Sequence, residues 1–332
     1  MVARRSVWTD AAVRTLLDSF VLAADEVGRL QRGEDAECRA FQGFCEGGHY
    51  GGRTQPTSTR QGIYALAPSG VLLASCNTRS PDRLARTLRE ALDRWRELPA
   101  EQRALSEERR RELADTERFV DRCPADGLVL REYMRDLDRP VGEDWRTRAW
   151  NEDQVWFTRA EAAGFVPGSL DVGARRDVPR GLVERLVCLH LVDSVRGQTP
   201  PLPEDAVEQA RLTSAVVAVD DEAVHLRLWG ETRAEQRGRW IAPGEPEGER
   251  VRGVATALRG RAVWDRAAER FVGFEFVAVG ERWGATQYNE RRQDPGPSKI
   301  GFAFVLADDD TQRVAPAFYW RYRFDDGRDG PR

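Results

Sequence analysis

The sequence predicts an α+β chain in three parts. Residues 1–98 read as an α/β domain, 99–200 as a mainly helical connecting segment, and 201–325 as an antiparallel β-rich domain, a sandwich or a partly closed barrel. Three observations carry this. A strand, a tight turn and a return strand run through 62–76 and lead into an amphipathic helix. After Pro179, the residues Leu182, Val183, Leu186, Val187 and Leu189 recur at helical spacing. From Leu212 the apolar period becomes an alternation, the signature of half-buried strands.

Composition narrows the function classes. The chain has 332 residues, enough for more than one core. Its net charge is −4, with no basic block, so no nucleic-acid partner is expected. No stretch approaches the ~20 apolar residues of a membrane helix, and residues 1–10 carry Arg4 and Arg5 with no apolar run, so neither a membrane partner nor a signal peptide is expected. The five cysteines (Cys38, Cys45, Cys76, Cys123 and Cys188) have no regular spacing. They read as reduced thiols of a cytoplasmic protein.

In chain order, Asp10 caps a first helix with Val13, Leu16, Leu17 and Phe20 on one face. Residues 20–24 are expected to form a buried strand, and 29–44 a helix. The segment Phe44-Cys45-Glu46-Gly47-Gly48-His49-Tyr50-Gly51-Gly52-Arg53 concentrates reactive side chains on a glycine-rich loop. The hairpin follows, turning at Pro68-Ser69-Gly70. Then comes a helix opened by Ser80-Pro81-Asp82, with Leu84, Leu88, Ala91, Leu92 and Trp95 on its apolar face. A charged helix over 100–122, a linker over 136–148, a helix over 152–163 capped by Asn151, and the strong helix over 179–192 complete the first two parts. Trp145, Trp150, Trp156 and Phe157 read as packing residues between domains. Strands are expected from 212 to 218 and from 224 to 230. A hairpin of 252–265 with 271–280 turns at 266–269, and further strands lie at 300–306 and 314–324.

The order helix, Phe20 strand, "GIYALAPSGVLLAS" hairpin and "SPDRLARTLREALDRW" helix resembles the later part of a thioredoxin-like domain, over about residues 7–97. The resemblance implies a sheet flanked by helices. It does not carry the family's redox activity across. The Cys-x-x-Cys segment would lie before Trp8, and Gln61 or Gly62 stands where the family places a cis-proline. A strand would then be missing between the Phe20 strand and the hairpin, and residues 127–133 are the expected filler, because a buried unpaired edge is costly. A half-sheet with an open edge also admits a homodimer.

Two functional readings follow. In the first, a thioredoxin-like domain without a dithiol binds a partner or small ligand. Its contact residues would be Arg53, Arg60 and Gln61 on the polar loop, His190, Arg196 and Gln198 in "HLVDSVRGQTPP", and Trp283, Gln287, Tyr288 and Asn289 in "RWGATQYNER". In the second, the protein is a thiol enzyme. Cys45 would be the nucleophile, oriented by His49 and Glu46, with Arg53 as an anion clamp and Cys38 as a resolving thiol. Against the second stands a Cys45 that is a small buried hydrophobe at a helix end. Cys45-x3-His49 offers only two soft ligands, so no metal is assigned, and no cofactor is expected. No dinucleotide, phosphate-loop, nucleophile-elbow or His-Glu-x-x-His motif occurs.

Overall fold

The computed structural model describes residues 7–8, 10–23, 27–49, 60–78, 80–114, 123–138, 145–242, 244–307, 313–322 and 324. The chain divides into two compact units, Val2–Phe119 and Val120–Arg332. Among the described residues no helix is long and apolar enough to cross a membrane.

In the first unit, α1 (Ala11–Leu17) starts at Asp10, whose carboxylate accepts from the Ala12 and Val13 amides at 3.0 Å each. A one-turn helix α2 (Val27–Leu30) precedes α3 (Ala36–Glu46), which Asp35 caps through the Cys38 amide at 2.8 Å. The single helix expected over 29–44 is thus split by a turn around Gly33. The hairpin is as expected: β1 (Ile63–Leu66) pairs antiparallel with β2 (Leu72–Cys76), and Gly70 takes the positive φ of 89° that its tight turn needs. α4 (Pro81–Glu97) begins at Ser80 and buries Leu84, Leu88 and Ala91 against the hairpin. α5 (Glu107–Ala114) is charged at every position from Glu107 to Glu112 and buries nothing.

The Phe20 strand does not form. Val21 is 99% and Leu22 65% exposed, and no strand pairs with them among the described residues. Apolar composition alone cannot make a strand without a ladder partner. The expected filler of the gap, residues 127–133, lies in a sheet of the other unit.

That unit is built on one curled antiparallel sheet, a half-barrel of eight strands in the order β4-β3-β10-β9-β8-β7-β6-β5. The strands are β3 (Leu128–Asp136), β4 (Trp150–Phe157), β5 (Arg175–Asp177), β6 (Val207–Val219), β7 (Ala223–Ala242), β8 (Glu245–Asp265), β9 (Arg270–Trp283) and β10 (Ser298–Leu306). Residues read as helical at 152–157 are strand β4. The true helix start is Thr158, whose hydroxyl accepts from the Glu161 amide while the Glu161 carboxylate accepts from the Thr158 amide, opening α7 (Arg159–Ala163) after the short α6 (Trp145–Arg148). Residues 314–318 form no strand, and a 3-10 turn follows at Tyr319–Arg321.

Side-chain parity explains the core. Even-numbered positions of β3, β6, β7, β8 and β10 face the concave side: Leu130, Leu212, Leu226, Leu258 and Phe302 among them. α8 (Arg180–Leu189) closes that face with Val183, Leu186 and Val187. Strands pass each other closely where the sheet curls. A Cβ on Gly280 would stand 1.8 Å from the Ala255 carbonyl oxygen, so the position accepts glycine alone. On the outer edge of β4, the chain from 313 to 322 packs Phe318 and Tyr322 with Trp156, Val129 and Leu189. The Trp156 indole donates to the Val314 carbonyl at 2.9 Å, and the Ala317 amide donates to Asp153 at the same distance. The segment also takes up a backbone group of this edge strand, the Trp156 amide, which donates to the Tyr322 hydroxyl at 3.4 Å.

Candidate functional site

The inward parity of β3 carries two acids as well as Leu128, Leu130 and Met134. Glu132 is fully buried and Asp136 nearly so. Each anchors a separate polar cluster of the Val120–Arg332 unit.

Around Asp136 lies an ion network. Arg291, with no exposed surface, donates to both Asp136 oxygens at 2.6 and 2.9 Å and to both Asp193 oxygens at 2.8 Å. Arg196 bridges Asp136 at 3.0 Å and Asp294 at 2.8 Å, and Arg282 donates to the Asp294 carbonyl at 2.7 Å. Asn289 accepts from the Thr286 amide and donates to Asp193. Burial pushes the Asp136 carboxyl up, but the Arg291 hydrogen bonds and the charges of Arg291, Arg196 and Arg282 outweigh it and hold the group below the usual range. Three guanidinium groups meet three carboxylates, so the network is balanced within itself. Its chemistry is positional: it fixes the chain after α8 against the chain after β9. A Cβ on Gly197 would lie 1.8 Å from the Tyr288 carbonyl oxygen, which shows how closely the two segments approach.

Around Glu132 lies a smaller and less balanced cluster. Glu132 Oε2 is 2.7 Å from His190 Nδ1, and His190 Nε2 is hydrogen-bonded to the Tyr322 hydroxyl. Asp153 is the residue opposite Glu132 in the β3–β4 ladder, and its Oδ2 lies 3.9 Å from His190 Nδ1. One ligand atom from each of Glu132, Asp153 and His190 can be chosen so that all lie within 4.8 Å of one another. Glu132 Oε1 has no hydrogen-bond partner among the described residues. Burial raises Glu132 well above its ordinary value and Asp153 to about 6, and it lowers His190 to about 4. Burial also raises the Tyr322 phenol. Arg185 sits 4.8 Å over the Tyr322 ring and donates to Glu161 at 2.7 and 2.8 Å.

The same unit has a cleft of about 600 Å³ where β9 overshoots its neighbour. The β10 register ends at Val305 opposite Glu275, so residues 270–274 extend beyond it. Leu128, Ala162, Phe271 and Leu306 line the cleft with apolar surface, Arg159, Arg270 and Arg313 add guanidinium groups, and Asp126 and Glu269 add carboxylates, the latter 3.6 Å from Arg159. Arg159 is turned to the Ala268 carbonyl and Arg313 to the Pro124 and Ala125 carbonyls, whereas Arg270 is exposed.

The residues singled out in the sequence are scattered by this structure. Cys45 is fully buried in a small core with Leu30, Cys38 and Phe41. Burial raises its thiol pKa despite the Tyr64 hydrogen bond and the nearby Arg60. Cys38 is likewise raised, to about 11, by burial and its hydrogen bond to Asp35. These shifts run opposite to the lowered pKa that a nucleophilic Cys45 requires. Glu46 accepts from Arg60 at 2.7 and 3.1 Å, and the His49 amide donates to Ser75 while its ring packs on Tyr64. Gln61 is exposed, and Arg53 lies outside the described residues. His190, Arg196 and Asn289 are engaged inside the two clusters. Gln198, Gln287 and Tyr288 are exposed beside the Gly197–Tyr288 approach, and Trp283 is half-buried under Arg233.

Sequence reading missed Glu132, Asp153 and Tyr322, and the acids Asp136 and Asp193. One signal was present. In Leu128, Leu130, Glu132, Met134 and Asp136, two acids occupy the inward parity of an apolar alternation, where a charge needs a partner. Comparison with protein-family models, with curated proteins and with solved structures gives no match to this chain.

Proposed function

We propose that this protein acts by binding a small amphipathic anion in the cleft of its C-terminal unit, and that its N-terminal unit is a thioredoxin-like module without a redox pair. The observation that carries the reading is the cleft of about 600 Å³, with apolar residues along it and the exposed Arg270 at its side. Its volume falls in the range of about 300–1,000 Å³ usual for small-molecule sites. An apolar body fills such a space, and a guanidinium fixes a carboxylate or sulfonate in orientation. The thiol-enzyme reading loses support from the burial of Cys45 and the upward shift of its thiol.

The test is a fluorescence titration of the full chain with the anionic dye ANS. The reading expects one saturable site, at least about fivefold weaker in Arg270→Glu, because a like charge replaces the counter-charge. Val272→Trp, at an exposed position on the cleft wall, should narrow the cleft and weaken binding while circular dichroism stays unchanged. Saturable binding indifferent to both substitutions, or no saturable binding, would overturn it.

A further inference from the structure

Glu132, Asp153 and His190 come from three different elements: β3, β4 and the residue that caps the C-terminus of α8. None of them lines the cleft. As a purely structural cluster they are poorly matched. Two acids share one rung of a ladder, and like charges directly opposite destabilise a sheet. One carboxylate oxygen, Glu132 Oε1, is buried with no partner among the described residues, in a residue with no exposed surface. An orphaned buried acceptor is destabilising, more so when charged. The ion network a few residues away shows that this chain can satisfy buried acids with arginine. Here, among the described residues, no guanidinium is hydrogen-bonded to either acid.

We propose that Glu132, Asp153 and His190 form a binding site for one divalent transition-metal ion. Two carboxylate oxygens and an imidazole nitrogen are a donor set that suits zinc, manganese or cobalt. A tetrahedral ion with bonds of about 2.0–2.2 Å holds its ligand atoms about 3.3–3.6 Å apart. The Glu132–His190 pair, at 2.7 Å, opens slightly to admit it, and the His190–Asp153 pair, at 3.9 Å, closes slightly. Two carboxylates, a neutral imidazole and a divalent cation sum to zero charge, which is the form a buried site tolerates best. His190 binds through Nδ1, and its Nε2–H is held by the Tyr322 oxygen. That is the outer hydrogen bond a ligating histidine ordinarily makes, and it fixes the ring tautomer. Beside Asp153 lies a cavity of about 10 Å³, bordered by Asn151, Ser194 and Phe318, enough for about one water. Protons compete with the ion for the carboxylate and imidazole donors, so affinity falls as pH falls.

The full chain, stripped with a chelator and dialysed, is titrated with Co²⁺ and followed by d–d absorption, with Zn²⁺ as competitor. The expected result is one Co²⁺ per chain, displaced by one Zn²⁺, with a rise in the thermal midpoint. Glu132→Gln and Asp153→Asn should each weaken binding by more than about tenfold. Tyr322→Phe, which keeps all three ligands, should weaken it about 10–100-fold through the outer hydrogen bond. Asp153 borders the small cavity and its substitution to Asn keeps both size and the acceptor for Ala317, so that variant tests the site in a folded chain. The proposal is overturned by the absence of a saturable band in folded wild type. It is also overturned by a band unchanged in Glu132→Gln or Asp153→Asn, or by one lost in Cys45→Ser instead.

Discussion

Glu132 on β3 stands directly opposite Asp153 on β4, so two acids share one rung on the concave face of the sheet, with His190 between them and the end of α8. A sequence optimised for stability alone would place an amide or a hydrophobe at that rung. In chelator-treated protein, Glu132→Gln is therefore expected to shift the unfolding free energy by no more than about 1 kcal/mol, and toward stability. Urea unfolding followed by tryptophan fluorescence measures it. A loss above about 2 kcal/mol would mean that the carboxylate is held there by His190 alone.

Asp136 behaves in the opposite way, because Arg291 and Arg196 hold it ionised. Asp136→Asn should cost about 3 kcal/mol at neutral pH, as expected when one partner of a buried ion cluster is removed. The folded pKa lies below the ordinary 3.8, so this stabilisation is fully present above that pH and is lost as pH falls through the folded value. The gap in unfolding free energy between wild type and variant should stay flat from pH 7 to about pH 5 and narrow below about pH 4. A gap that widens in acid would contradict the assignment.

Tyr322 ties the C-terminal segment to the sheet through His190 Nε2 and the Trp156 amide, the latter at 3.4 Å. Tyr322→Phe keeps the ring in its apolar cluster and removes both bonds. The expected loss is about 1–3 kcal/mol, concentrated in the segment 313–322. Limited proteolysis should cut there several-fold faster than in wild type, while the rest of the unit resists as before. Equal cleavage rates would show that the ring, not the hydroxyl, holds the segment.

All five cysteines are buried, and burial raises the thiols of Cys38, Cys45 and Cys188. Alkylation by iodoacetamide near neutral pH should be slow at every one of them in the folded protein and fast after denaturation, read by peptide mass spectrometry. Cys45→Ser should leave dye binding in the cleft unchanged. Rapid modification of Cys45 alone in the native state would restore the thiol-enzyme reading.

Local sequence determined much of the secondary structure. Ser80-Pro81-Asp82 set the start of α4, Pro68-Ser69-Gly70 set the first hairpin, and the alternation of Leu212 to Leu228 and of residues 252–280 set strands whose pairing followed from their turns. These signals are carried by neighbours in the chain: caps, turn residues and a fixed period. What sequence could not decide was membership. The 127–133 segment was legible as extended chain, yet only ladder pairing with β4 and β10 put it in the eight-stranded sheet. The apolar run at Val21 found no partner and stayed exposed. The site followed the same rule. His190 was visible as a polar residue at a helix end, but Glu132, Asp153 and Tyr322 lie 58, 37 and 132 positions away in sequence. Their meeting depends on sheet register, on the path of the chain beyond β10, and on burial that shifts their proton affinities, and each of these is a property of the folded chain alone.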